Sequence, residues 1–414
     1  LIKGVGPVTA KRLVQSFGTD IIGIIENDPD RLLEVPKIGA KKRDLIVKGW
    51  QEQKEIQNIM LFLQSHGIST TYAVKIYKKY GDAAIEKVQQ NPYQLAEDIW
   101  GIGFKTADRI AQHLGYTHDS PQRLRAGLLY TLHQATEQGH VFLPQPILFK
   151  TAKGFLEVEE ELFTSILEEL ITSEQVKVEI FDETPYVYLI SLYYTEIGIV
   201  NRLLRLMQTP FTLPSITEQD LTALQMNHGL EFSKEQSQTL EMALSHKVMI
   251  LTGGPGTGKT TVCRAILQLL EKANQKILLA SPTGRAAKRL SEVTGKPAKT
   301  IHRLLKFDPQ TMGFKHHEEN PLELDVLLLD EVSMVDFILL NHVLKALTIK
   351  ARFILVGDSD QLPSVGPGAV LKDLIHSQKI ATTCLKTIFR QAQESLIVTN
   401  AHRINEGIYP ILLS

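Results

Sequence analysis

Gly253-Gly254-Pro255-Gly256-Thr257-Gly258-Lys259-Thr260 follows the short apolar run Val248 to Leu251 and precedes a helical run from Thr261 to Leu270. The octet satisfies G-x-x-x-x-G-K-[ST] at every fixed position, in the strand-to-helix setting where that pattern carries meaning. Its glycines let successive backbone N–H groups curve around phosphate oxygens at the positive end of the helix. The pattern assigns Lys259 to the β- and γ-phosphates of a nucleotide and the Thr260 hydroxyl to Mg2+. Gly253, Gly254, Pro255, Gly256, Thr257, Gly258 and Thr261 complete the expected phosphate cradle. The competing reading is a glycine-rich turn that matches by coincidence.

From Phe232 onward the chain alternates apolar runs with helical segments. Ile277 to Ala280, Val326 to Leu329 and Phe353 to Val356 join Val248 to Leu251 as continuous apolar stretches, the pattern of buried parallel strands with helices on both faces. Asp330-Glu331 closes the run Val326 to Leu329. Carboxylates at the carboxyl end of a strand face the edge where open α/β sheets bind ligands. Asp330 is therefore expected to hold Mg2+, and Glu331 to polarise an attacking water. A surface acidic pair at a strand end is the plainer alternative.

Ahead of this domain the residues change. Within the first 118, four units recur: Gly4-Val5-Gly6 before Val8 to Phe17 and Gly18; Ile38-Gly39 before Ala40 to Val47 and Gly49; Gly67-Ile68-Ser69 before Thr71 to Tyr80 and Gly81; Gly101-Ile102-Gly103 before Lys105 to Leu114 and Gly115. Each reads as a tight turn, a short amphipathic helix and a glycine stop. A Gly-apolar-Gly turn can bring backbone N–H groups to a phosphate, with a nearby cation adding charge. Gly4, Gly6, Gly101, Gly103 and Lys105 are the candidate DNA contacts. The Gly67 unit, with Ser69 in place of the second glycine, can serve as structure only. Each unit alone could equally be a helix C-cap or a turn.

Residues 119–192 read as helices Gln122 to Glu137 and Glu159 to Ile171, separated by a loop with Pro144 and Pro146. The strands Val176 to Ile180 and Tyr186 to Ile190 follow, and the whole is a winged-helix-like module. Residues 193–230 read as a helix and linker. Net charge is −1, which taken alone argues against nucleic acid, but its distribution matters more. Residues 1–118 carry 16 Lys/Arg against 13 Asp/Glu, while residues 154–185 carry 10 Asp/Glu and one Lys. The acidic segment should therefore pack or space rather than touch DNA. The 2 cysteines, Cys263 and Cys384, make neither a disulfide framework nor a metal cluster and fit a reducing compartment. No apolar stretch is long enough for a membrane span.

Several segments together resemble the motifs of superfamily 1 helicases. Phe232-Ser233-Lys234-Glu235-Gln236 is similar to their adenine-reading Q motif, Ser281 to Ala287 to motif Ia, Thr300 to Leu305 to the DNA-contacting segment after it, and Asp330 to Asp336 to motif II. Val356 to Pro363 with Gly366-Pro367-Gly368 resembles motif III, and Phe389-Arg390-Gln391-Ala392 motif IV. The set resembles the RecD-like branch, in the long form with N-terminal helix–hairpin–helix repeats. The resemblance implies ATP with Mg2+, and 5′→3′ movement on single-stranded DNA. It implies Gln236 as adenine reader, Gln361 as γ-phosphate sensor and Arg390 as arginine finger. Thr283, Arg285 and His302 would contact DNA. Ser233-x-x-Gln236 is also a helix capping box. Phe307 to Leu324 would be a β-hairpin pin, with Phe307 and Phe314 serving either duplex splitting or hairpin packing.

The expected architecture is multidomain. All-α helix–hairpin–helix repeats occupy 1–118 and the winged-helix-like module 119–192. A linker helix covers 193–230, and a RecA-like α/β P-loop domain covers 231–388 with a pin at about 306–324. The start of a second RecA-like domain lies at 389–414. The resemblance implies that the family continues past Ser414 into further motifs, so efficient unwinding by residues 1–414 alone is not expected. The absence of a starting Met reads as a trimmed beginning. Expected partners are single-stranded DNA and single-strand/duplex junctions, with a single-stranded-DNA-binding protein as a candidate, in a cytoplasmic, nucleoid-associated monomer that avoids membranes. Two rivals stand beside the motor: a DNA-binding scaffold with a regulatory ATPase, and the helicase part of a conjugative relaxase.

Overall fold

The computed structural model describes residues 5–212, 223–224, 232–387 and 395–412. It divides into two compact units, Leu1–Tyr130 with Phe149–Leu170, and Thr131–Leu148 with Ile171–Ser414. In the first unit, helices α1 (Pro7–Phe17), α3 (Ala40–Ser65) and α7 (Phe104–His113) each begin just after a glycine. Gly6, Gly39 and Gly103 sit at those N-caps in extended conformation. None offers a side-chain cap, so the first N–H groups of each helix stay open to other acceptors. Gly4 lies outside the described residues. Between α1 and α3 lies α2 (Ile21–Asn27). Leu13, Ile24, Ile25, Leu32, Val35, Ile38 and Ile46 pack the core beneath these helices.

One glycine behaves differently from the sequence reading, and a second takes the structural role that the reading left open for it. Helix α3 does not stop at Gly49, which is buried inside a helix of 26 residues. A glycine lowers helix propensity by only about 1 kcal/mol, and the flanking buried Ile46, Ile59 and Leu63 outweigh it. Gly67 ends that same helix. Its N–H bonds to Gln64 and that of Ile68 to Leu63, each at 3.1 Å, a Schellman closure with Gly67 at φ 78°. The Gly67 turn is thus a stop, and α4 (Thr70–Tyr80) is capped by the Ser69 hydroxyl. Helices α5 (Ala84–Gln90) and α6 (Gln94–Asp98) follow, and α7 closes through Gly115, with Tyr116 N bonded to Ala111 O at 3.0 Å.

Residues 121–189 form α8 (Pro121–Glu137), β1 (Phe142–Pro144), α9 (Gln145–Leu156), α10 (Glu161–Thr172), β2 (Val176–Phe181) and β3 (Thr184–Leu189). The stretch read as a proline-punctuated loop holds a strand and a helix. Pro144 ends the strand, and Pro146 sits in the first turn of α9, where a missing N–H costs nothing. The sheet runs β1-β3-β2, all antiparallel, and Asp182 and Glu183 take left-handed φ of 45° and 63° in the two-residue hairpin turn. Acidic α10 buries Phe163, Ile166, Leu167 and Leu170 and exposes Glu161, Glu168 and Glu169. Helix α11 (Ile190–Gln208) follows; of the segment read as helix and linker, 213–222 and 225–230 lie outside the described residues.

The second unit carries α12 (Lys234–Ser245), β4 (Val248–Gly253), α13 (Lys259–Lys272), β5 (Ile277–Ser281), α14 (Gly284–Thr294), β6 (Ala298–Thr300) and α15 (Ile301–Leu304). A two-stranded hairpin of β7 (Phe307–Asp308) and β8 (Gly313–Phe314) comes next, then β9 (Val326–Leu329), α16 (Phe337–Lys345), β10 (Arg352–Gly357), α17 (Val370–His376), β11 (Ala381–Leu385) and α18 (Leu396–Asn405). Among the described residues, six strands form one parallel sheet in the order β11-β4-β10-β9-β5-β6. Every residue of β4, β9 and β10 is buried, which is why each reads as an unbroken apolar run. Strands β6 and β11 escaped the sequence reading because they are edge strands, short or half-buried, with polar residues.

Gly115 offers a clean test of these glycine stops. It sits at φ 86° with open space where a Cβ would stand, so Gly115→Ala adds left-handed strain without a clash. Chemical denaturation of the variant should show a loss of about 1 kcal/mol; an unchanged midpoint would mean that α7 does not need its left-handed cap.

Candidate functional site

The carboxyl ends of β4, β9 and β10 open onto a cleft of about 820 Å³. Its walls include Gly254, Lys259, Thr260 and Thr261 from the glycine loop, Asp330 and Glu331 after β9, Asp358 and Gln361 after β10, and Phe232 and Gln236 at the start of α12. Strand order explains the convergence. β4 and β9 flank β10 directly, so residues far apart in the chain emerge side by side.

The loop's curvature comes from left-handed Gly256 (φ 76°) and Gly258 (φ 84°). The Thr257 hydroxyl donates to Gly254 O at 2.9 Å, tying the loop across its own turn. Lys259 Nζ donates to the carbonyls of Gly253 and Gly254, the latter at 3.0 Å. A cation held on carbonyls within its own loop can exchange them for phosphate oxygens with little side-chain motion. Gly253 and Gly254 are needed for space: a Cβ on Gly253 would lie 2.6 Å from Leu385 O, and one on Gly254 would lie 2.5 Å from the His402 ring.

Asp330 is fixed by its N–H bonded to Ala280 O at 2.9 Å. Burial, reinforced by the charge of Glu331, pushes its carboxyl up to about 6. Lys259 and Arg289 oppose that rise from nearby. The next residue, Glu331, takes φ 55° and opens a tight turn through Val332–Met334. Ser333 in that turn donates to Gln361 Oε1 at 3.1 Å. The turn that follows the acidic pair and the amide after β10 are thus joined by one hydrogen bond. The donor set fits a magnesium nucleotide: a glycine-loop lysine, a threonine hydroxyl and an acidic pair, one member of it with raised proton affinity, share one cleft.

Gln236 is both a cap and a cleft residue. Ser233 N donates to its Oε1 at 3.1 Å and Gln236 N donates to Ser233 Oγ at 3.2 Å, the reciprocal capping box. That bond uses only the carbonyl oxygen, so among the described residues the Nε2 donors are left for a ligand. Thr283 caps α14 by accepting from Ala286 N at 3.3 Å, and Arg285 on its first turn is exposed. Thr300 caps α15 in the same way. His302 is exposed and packs edge-on to Phe307, with ring centroids 5.6 Å apart. Phe307 and Phe314 pair across the hairpin at 5.3 Å, and Phe314 meets His342 at 4.8 Å. The two phenylalanines therefore root the hairpin, and the exposed apolar group at its tip is Met312. Arg390 and the rest of 388–394 lie outside the described residues.

Four residues at or beside the cleft were not anticipated as site residues. Asp358 is buried and accepts from Asp360 N at 3.0 Å. Arg289 shares one face of α14 with Ala286, Leu290 and Val293, a helical spacing that was legible in the sequence. His402 donates from Nε2 to Pro255 O at 3.0 Å, and Val398 lies one turn earlier on α18. No local pattern pointed from α18 to the glycine loop. In the first unit, Gly101, Gly103 and Lys105 are exposed around buried Ile102 and Phe104, and Gly6 is exposed at the start of α1.

Residues 236–367 match an AAA domain model, residues 52–142 the helix–hairpin–helix domain of the ATP-dependent RecD2 DNA helicase, and residues 2–52 a SAM-like helix–hairpin–helix tandem. The chain is 33% identical to the ATP-dependent RecD2 DNA helicase of Deinococcus radiodurans, over 99% of this chain and 58% of that protein. It is 43% identical to the RecBCD enzyme subunit RecD of Mycolicibacterium smegmatis, over 34% of this chain and 30% of that one. Among solved structures, a crystal structure of Pif1 helicase from Candida albicans is similar at 26% identity, over 44% of this chain and 45% of that one, with a TM-score of 0.35. The chain thus spans less than two thirds of the length of the curated relatives it matches. With helix–hairpin–helix units ahead of a P-loop domain and these motifs in order, the chain belongs to the RecD-like branch of superfamily 1 helicases.

Proposed function

We propose that this chain carries the nucleotide-binding motor domain and the DNA-gripping units of an ATP-dependent 5′→3′ DNA helicase. The observation that carries the reading is the convergence of Lys259, Thr260, Asp330, Glu331 and Gln361 on one cleft at the carboxyl edge of the sheet. Bound Mg2+ would neutralise phosphate charge there, held by Thr260 and Asp330. Lys259 binds the terminal phosphates, and Glu331 orients the attacking water and takes its proton. Gln236 reads the base through Nε2 while remaining a cap. Gln361 senses the γ-phosphate, and its bond to Ser333 gives that signal a route to the motif II turn. Arg390 supplies charge to the transferring phosphoryl group. Thr283, Arg285 and His302 meet the single strand, and the Gly101 and Gly6 turns meet backbone phosphates near a junction, so contact there is independent of sequence. The proposed protein works as a monomer in the cytoplasm, at the nucleoid, on repair or recombination intermediates, with a single-stranded-DNA-binding protein as neighbour.

DNA-dependent turnover separates a motor from a scaffold with regulatory ATPase. Steady-state ATP hydrolysis by the intact protein should rise on addition of single-stranded DNA; a rate indifferent to DNA would favour the scaffold. Lys259→Ala should lower turnover roughly a hundredfold or more, since one lost transition-state cation contact is worth about 3 kcal/mol or more. DNA affinity, measured by anisotropy of a labelled oligonucleotide, should be nearly unchanged.

The raised Asp330 carboxyl gives a pH prediction with a definite sign. Its folded-state proton affinity exceeds the ordinary value of 3.8, so its contribution to stability is present at low pH and is lost as pH rises through about 6. Asp330→Asn should therefore stabilise the metal-free protein at about pH 8 and leave it nearly unchanged at about pH 4. The same substitution should weaken Mg-nucleotide binding at the higher pH. Thermal unfolding at the two pH values reads the first effect; greater stability of the wild type at the higher pH without metal would overturn the assignment.

A further inference from the structure

Trp100 is one of 2 tryptophans in the chain and stands 91% exposed at the turn leading into Gly101-Ile102-Gly103. An indole so exposed forfeits the burial that normally justifies its size. Yet its base is held firmly. Lys75 Nζ donates to Trp100 O at 3.0 Å and lies 5.4 Å from the indole ring, while the Tyr72 hydroxyl donates to Gly101 O at 2.8 Å. Both turn carbonyls thereby accept hydrogen bonds from α4. The turn presents N–H groups, an ammonium and a flat ring, with exposed Lys105 and Arg109 beyond it on α7. That surface complements a chain bearing both phosphates and π-faces.

We propose that the Trp100 ring, braced by Lys75, stacks on an unpaired base of single-stranded DNA beside the phosphate held at the Gly101 turn. The inference rests on the DNA-binding reading of that turn and deepens it: the unit distinguishes single strands or junction ends from continuous duplex, where no base face is free. Stacking of this kind is sequence-tolerant and contributes through every base type. Lys75 lies over one face of the ring and leaves the opposite face open to a base.

The Trp50→Phe protein makes Trp100 the only tryptophan. Trp50 bonds Glu26 at 3.0 Å and packs against the core of Leu13, Ile24 and Ile46, whereas the Trp100 turn is held by Tyr72 and Lys75, so the replacement touches none of the contacts that hold that turn. Titration with oligothymidylate, with binding followed in parallel by anisotropy of a labelled strand, should quench most of the Trp100 emission saturably. A 5-bromouracil strand should photocrosslink to Trp100, the crosslink being lost in Trp100→Ala and retained in part in Trp100→Phe when mapped to the turn. Binding seen by anisotropy with Trp100 emission unchanged would overturn the stacking contact and leave the DNA reading standing. No binding by either signal would bring down the DNA reading and the stacking contact with it. Because the ring is almost wholly exposed, loss of fold in Trp100→Ala is not expected, and circular dichroism checks it.

Discussion

A carboxylate drawn largely out of water is the constraint around which the second unit is organised. Asp330 sits at the end of a fully buried strand, with its acidity suppressed by burial and by Glu331. Such a group is tolerated only where the fold needs it, since desolvating a charge is among the costliest things a fold can do. Its position follows from parallel topology. Only the carboxyl edge of the sheet gathers β4, β9 and β10 at one mouth, and only there can a glycine loop place a lysine near the carboxylate. Glu331, at φ 55°, takes a left-handed backbone within the site, a conformation that the neighbouring Gly256 and Gly258 adopt without cost but a residue with a Cβ does not.

The cleft is wired as well as shaped. Ser333, in the turn behind Asp330, bonds to Gln361 after the neighbouring strand, and Ser359 N donates to Thr252 Oγ1 on β4 at 3.2 Å. Three strand ends are therefore linked by two hydrogen bonds that involve hydroxyls. A change at Gln361 would be felt at the acidic turn through that bond. Gly366 serves the same region sterically, for a Cβ there would lie 2.5 Å from Asp336 Oδ2, and that carboxylate caps α16 through Leu339 N at 2.7 Å.

What was legible in the sequence follows from what each signal measures. The central strands were plain because burial on both faces forces continuous apolar runs, and the glycine loop because phosphate binding fixes both residue type and spacing. The edge strands β6 and β11 were invisible because half-exposed strands tolerate lysine and threonine. Gly49 reads as a stop in the sequence but lies inside a helix, whereas Gly67, left open there as a structural turn, is a helix stop. A glycine can lie within a helix when neighbouring buried residues offset its entropy, and a glycine before an apolar residue can close one helix rather than open a turn for the next. Nothing in the local sequence separates these cases, since the difference lies in tertiary packing. His402 was out of reach for another reason: it meets Pro255 across a separation of 147 positions.

The contact made by His402 bears on how the cleft can work. Its ring fills the space that a side chain at Gly254 would need, and its Nε2 proton goes to the loop carbonyl of Pro255. The glycine at 254 is thus required by a helix that follows β11, as well as by the phosphates its backbone can approach. A loop that must accept nucleotide on one side and α18 on the other is held in shape from both. Lys259 adds the third restraint by bonding the carbonyls of Gly253 and Gly254. Phosphate binding would release the lysine from those carbonyls and leave His402 as the contact still reporting on the loop. Under the function proposed above, a shift of the loop backbone on phosphate binding would reach α18 through this contact.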